Sequence, residues 1–133
     1  MAYEHKVIVV LRSEHTTNKG TIIYGENIAE YKCSRMPHCF YNIFKQNGIP
    51  IDFDLYDGND EPTKTDPYGE HCKMLPLQDV IDCLRDINAN DADYKGYRRI
   101  APLIGLLEGF NEAKWTEHYD NYNGRLYAVN YGY

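Results

Sequence analysis

The pattern of apolar and polar positions changes period several times along the chain, and each change marks an element. "HKVIVVLRS" (5–13) is dense in β-branched residues and reads as a strand. "EHTTNKG" supplies turn residues, and "TIIYGENIAEYKCS" (21–34) reads as the returning strand, with a bulge expected at Gly25. The two form an antiparallel hairpin from about residue 5 to 33. In "RMPHCFYNIFKQNG" (35–48) the period lengthens: Phe40, Ile43 and Phe44 fall on one helical face, Pro37 suits the first turn and Gly48 the stop. "IPIDFDL" (49–55) returns to period two, with Ile49, Ile51, Phe53 and Leu55 on one face and Asp52 and Asp54 on the other. That is a half-buried strand.

Residues 56–70, "YDGNDEPTKTDPYGE", form the one long loop. Loops of this length in small domains are usually functional or mobile. "LPLQDVIDCLRDINAN" (75–90) carries the clearest helical stripe, Leu77, Val80, Ile81, Leu84 and Ile87, with Pro76 at its start. A second helix is predicted from about Tyr97 to Glu108, kinked or started by Pro102. Near the end, Asn123-Gly124 between aromatic runs signals a hairpin turn, followed by a final strand through "RLYAVNY". The order is ββαβααββ: an α+β domain over residues 1–133, with a mainly antiparallel sheet and two to three helices packed on one face.

Composition sharpens this picture at three points. A chain of 133 residues suits one domain that folds without staples. A net charge of −6 disfavours unspecific binding to nucleic acid or anionic membranes, and no segment reads as a signal or membrane span. A cytoplasmic setting follows, in which the four cysteines, Cys33, Cys39, Cys72 and Cys83, stay reduced. Tyrosine is the outlier, with thirteen copies against four Phe and one Trp. One small core does not hide thirteen, so some must be exposed, as on protein-binding surfaces.

Candidate chemistry is sparse. "DFDLYDGND" (52–60) has four carboxylates in nine residues. No frame of it places carboxylates, glycine and a closing glutamate as a calcium loop requires, so it reads as a strand end and an acidic loop. Cys33, His38, His71 and Cys72 are soft ligands that could hold a tetrahedral zinc if the fold assembled them, but they lack paired-knuckle spacing. Buried cysteines and loop histidines explain the same residues. No nucleophile elbow, HExxH, phosphate-loop or dinucleotide motif is present, and no cofactor is expected. "YKGYRR" (94–99) is too short a basic and aromatic cluster to suggest direct nucleic-acid binding.

The stretches "RMPHCFYNIFKQNGIPID" and "DPYGEHCKMLPLQDVIDCL" resemble small uncharacterised proteins of bacteriophages and prophages, over residues 35 to 85. In those, a short aromatic helix leads to a G-x-P segment, and a polar loop ending near a histidine precedes a Leu-rich helix. This chain departs at Cys72 and Lys73, where a Ser-Trp-like pair is expected. The resemblance implies a setting inside a host cell and no catalytic mechanism.

The expectation is therefore a non-enzymatic protein that binds a host protein with a basic surface and inhibits a defence or nucleic-acid-processing enzyme. Asp57, Asp60, Glu61, Tyr122, Tyr127 and Tyr131 are the expected contact residues. A homodimer is compatible with this reading. The alternatives are a zinc- or cysteine-dependent enzyme using Cys33, His38, His71 and Cys72, and a small-ligand (nucleotide) sponge with its pocket between the sheet and the helices.

Overall fold

The computed structural model describes residues 5–33, 36–56, 61–110 and 124–132. It is an α+β fold with three helices and a mainly antiparallel sheet. The elements are β1 (His5–Thr17), β2 (Gly20–Lys32), α1 (His38–Asn47), β3 (Ile49–Pro50), β4 (Leu55–Tyr56), β5 (Pro62–Thr63), β6 (Lys73–Pro76), α2 (Leu77–Asn90), α3 (Ile100–Glu108) and β7 (Arg125–Gly132). Five strands pair antiparallel in the order β2-β1-β7-β6-β3, and β4 and β5 make a separate two-stranded ribbon.

The long apolar run of β1 makes it a central strand with both faces covered. Successive side chains of a strand point to opposite faces, and β1 divides accordingly. Val7, Val9 and Leu11 join Leu126 and Ala128 of β7 under the three helices. Phe40 and Phe44 of α1, the stripe Leu77, Val80, Ile81, Leu84 and Ile87 of α2, and Ile100, Leu103 and Leu107 of α3 close this layer. Ile8 and Val10 face the other way, with Val129 and Tyr131, and are covered by Ile51, Phe53, Leu55, Cys72 and Met74. Each large apolar side chain so buried stabilises the fold by roughly 1.5–3 kcal/mol.

Three local expectations change. The alternation is present over residues 51–55, since Ile51, Phe53 and Leu55 are buried while Asp52 and Asp54 are exposed, but Ile49, expected on the buried face, is 51% exposed. Yet only two-residue pieces at the ends of the segment pair as strands. The segment lies across the second face of the sheet as a cover, so its period comes from one-sided burial, not from a ladder. The irregularity of the hairpin is not at Gly25. The register shifts between Val9 and Val10, where the partners step from Ala29 to Asn27 and leave Ile28 as the extra residue. Helix α3 begins at Ile100, so Pro102 sits in its first turn, where its missing N–H has no helical partner to lose.

The Asn123-Gly124 turn begins outside the described residues, as does the strand expected before it. The described β7 is an interior strand: β1 pairs with it from Arg125 to Gly132 and β6 from Tyr127 to Asn130. Part of the long loop is ordered by a short side chain. Asp66 Oδ1 accepts from the backbone N–H of Tyr68 at 2.8 Å and of Glu70 at 3.0 Å.

Candidate functional site

Strand β7 ends its pairing with β1 at Arg12 opposite Arg125, but the hairpin continues. Among the described residues, Ser13 to Thr17 pair only with Gly20 to Tyr24, giving a two-stranded arm beyond the five-stranded body. Beyond the helices, the arm presents apolar side chains to solvent: Ile22 is 45% exposed and Tyr24 50%. Their cross-strand partners are His15 and Ser13. Ile23 points to the opposite face and packs against the second apolar layer.

Among the described residues, β2 pairs with β1 alone, so its outer edge runs thirteen residues without a partner strand. Edge strands are usually defended by shortness, charge, proline or a bulge. The sheet's other edge follows that rule, because β3 is two residues long and one of them is Pro50. On β2 the bulge lies at Ile28, and "GTIIYG" (20–25) carries no charge and no proline. This six-residue stretch has no charge, proline or bulge to defend its outer edge.

The acidic alternation is engaged within the chain. Arg12 grips Asp52 with a fork, Nε to Oδ1 at 2.8 Å and Nη2 to Oδ2 at 2.6 Å. Its Nη2 also lies 2.9 Å from Glu14. Lys64 Nζ donates to Asp54 at 2.6 Å. Hydrogen bonding from the Arg12 guanidinium holds the Asp52 carboxyl below the usual carboxylate range. Asp52 and Asp54 thus serve to fasten the cover segment to β1 and to the loop.

Of the six predicted contact residues, Asp57, Asp60 and Tyr122 lie outside the described residues. Glu61 is exposed. Tyr127 is half-buried against the second layer. Tyr131 is a correction: it is 4% exposed, packed in that layer with Lys6 Nζ 4.9 Å above its ring, and offers no contact surface. The cover segment explains it, since Tyr131 points to the sheet face on which Ile51, Phe53 and Leu55 pack. The most exposed described tyrosines are Tyr56, Tyr24 and Tyr68.

The four zinc candidates are not brought together. Cys33 belongs to the helix-side layer and Cys72 to the layer on the other side of the sheet. His38 is exposed at the start of α1, and His71 Nε2 lies 3.0 Å from the Ile51 carbonyl, to which it donates. No group of three or more metal-ligating side chains assembles among the described residues. Burial pushes the thiols of Cys33 and Cys72 up to about 12, away from the thiolate that nucleophilic or metal chemistry uses. Among the described residues lies a groove of about 290 Å³. Ile43, Asn47, Leu75, Asp79, Asp82 and Cys83 line it, between α1, β6 and α2. It falls just under the range usual for ligand pockets, roughly 300–1,000 Å³.

A residue without any sequence signal of its own is His5. It is 5% exposed, wedged against Tyr41 (ring centroids 4.5 Å apart) and Phe40 (5.9 Å). Its Nδ1 donates to the Cys33 carbonyl at 3.1 Å, and its Nε2 lies 2.5 Å from Asn130 Oδ1. Asn130 Nδ2 in turn donates to the Gly132 carbonyl at 3.1 Å. Burial lowers the pKa of His5, and the two hydrogen bonds oppose that shift. The network ties together the start of β1 and the ends of β2 and β7.

No helix among the described residues is long and apolar enough to cross a membrane. Comparison of the chain with protein-family models, with curated proteins and with solved structures returns no match.

Proposed function

We propose that this protein acts by binding another protein, and that the outer edge of β2 from Gly20 to Glu26 is its contact. The observation that carries this reading is the contrast between the two edges of one sheet. The β3 edge is short and blocked by proline, while the β2 edge is long, uncharged at its tip and flanked by exposed Ile22 and Tyr24. An extended segment of a partner adds to such an edge through main-chain hydrogen bonds, with alternate side chains giving specificity. Asp52 and Asp54 are already paired with Arg12 and Lys64 within the chain. The resemblance of residues 35–85 to small phage proteins supplies the setting: blocking of a defence or nucleic-acid-processing enzyme in the cytoplasm of a host cell.

The test is affinity capture from a bacterial host lysate with the native chain and with the double variant Ile22→Lys, Tyr24→Lys. A protein retained in fixed proportion by the native chain and lost with the folded variant supports the reading. Equal retention by both removes the β2 edge from it.

A further inference from the structure

We infer that the β2 edge is built to accept the same edge of a second copy, giving a two-fold dimer with one continuous ten-stranded sheet. The inference rests on the reading of β2 as the contact surface and names a second copy as its occupant, so that a host protein competes with that copy for the edge.

The β2 edge is complementary to itself. In an antiparallel pair of identical strands, residue numbers on opposite positions add to a constant. A two-fold axis perpendicular to the sheet keeps each copy's faces continuous, which requires that constant to be even, because paired side chains share a face. Centring the axis on Ile23 sets Ile23 opposite Ile23. It also sets Ile22 of each copy opposite Tyr24 of the other. The two most exposed apolar side chains of the arm, at 45% and 50%, then cover one another twice, on the face not used by Ile23. Aromatic and β-branched cross-strand pairs of this kind are among those that stabilise sheets.

Charge agrees with the same register. The uncharged stretch is bounded by Lys19 and Glu26. The Ile23-centred register places Gly20 opposite Glu26, so Lys19 of each copy comes within one position of Glu26 of the other. The segment 19–26 is locally neutral despite the net charge of −6 per chain. No other even register does as well. Centring on Ile22 sets Ile22 against itself and leaves Tyr24 opposite Gly20, while centring on Tyr24 sets Ile22 against Glu26. An isologous pair also closes on itself, because it consumes the β2 edge of both copies and, among the described residues, leaves the short β3 edges at the ends of the joined sheet.

Sedimentation velocity of the full chain over a wide concentration range reads this directly. The expected result is a monomer–dimer equilibrium whose dissociation constant rises at least about tenfold in the Ile22→Lys, Tyr24→Lys variant. Circular dichroism checks that this variant remains folded. Register is read by mixing Ile22→Cys chains with Tyr24→Cys chains under mild oxidation, with the native chain as the background control. Cross-linking in the mixture above that of either variant alone supports the Ile23-centred pair. A chain monomeric at every concentration, or a dimer indifferent to the double substitution, overturns the inference. Its failure is distinct from failure of protein binding. A monomer whose capture of another protein still needs Ile22 and Tyr24 discards the second copy and keeps the edge as a contact.

Discussion

The ring of Phe53 lies on Gly25 so closely that a β-carbon built at Gly25 would stand 2.2 Å from Cδ2. The glycine in the middle of β2 is therefore the seat of the cover segment. Gly25→Ala should force Phe53 off its position and destabilise the fold by about 1–3 kcal/mol, the usual range for overpacking. Urea unfolding measures it. The companion Phe53→Leu, which shortens the ring, should recover part of the loss in the double variant, because the two sites are in contact and do not add.

The fork between Arg12 and Asp52 links the same segment to β1. Because hydrogen bonding from Arg12 lowers the folded pKa of Asp52, the pair stabilises the fold above the unfolded carboxylate value. That contribution is lost as pH falls through the depressed folded value. Asp52 is 42% exposed, so screening limits it to less than about 1 kcal/mol. Asp52→Asn should lower the urea midpoint at pH 7 slightly and leave it unchanged at a pH below the folded carboxyl value.

His5 gives a pH dependence of the opposite origin. Its folded pKa is lowered by burial, so the unfolded chain takes up the proton first as pH falls. Stability should therefore be complete above about pH 6.5, the unfolded value, and decline below it. His5→Phe removes this dependence and leaves the Cys33 carbonyl without its donor, at a cost of roughly 1–3 kcal/mol. Unfolding midpoints of both proteins between pH 7.5 and pH 5 (about the span of histidine titration) check the sign. The native chain should lose more than the variant.

Thiol labelling tests the layer assignment. Cys33 and Cys72 are buried with thiols pushed up to about 12, while Cys39 and Cys83 are half-buried. In the folded protein at mild alkaline pH, a thiol reagent should reach Cys39 and Cys83 first, and Cys33 and Cys72 only on unfolding. Rapid modification of Cys33 or Cys72 would contradict the two-layer arrangement.

Most of the architecture was legible in the chain because burial writes a period into it. The stripe of α2, the aromatic face of α1 and the β-branched run of β1 each follow from a face that must be covered. Residues 49–55 show where the signal is ambiguous. Alternation records which side chains are buried and not whether the backbone pairs, so a cover segment and a strand look alike. Tyr131 shows a second limit, since it is buried by a cover segment from elsewhere in the chain, and no local pattern encodes that packing. The β2 edge was present in the sequence as an uncharged "GTIIYG" between Lys19 and Glu26. Its meaning needed the strand order, because the same residues inside a sheet are ordinary.

The most direct test of the account is amide hydrogen exchange along β2, recorded on the dilute chain and again with its bound partner, whether the captured protein or a second copy at high concentration. Alternate amides of Gly20 to Glu26 should exchange quickly when the chain is dilute and become protected on binding, with little change at Glu61 to Glu70. Protection confined to the 61–70 loop, with the β2 edge unchanged, would contradict it.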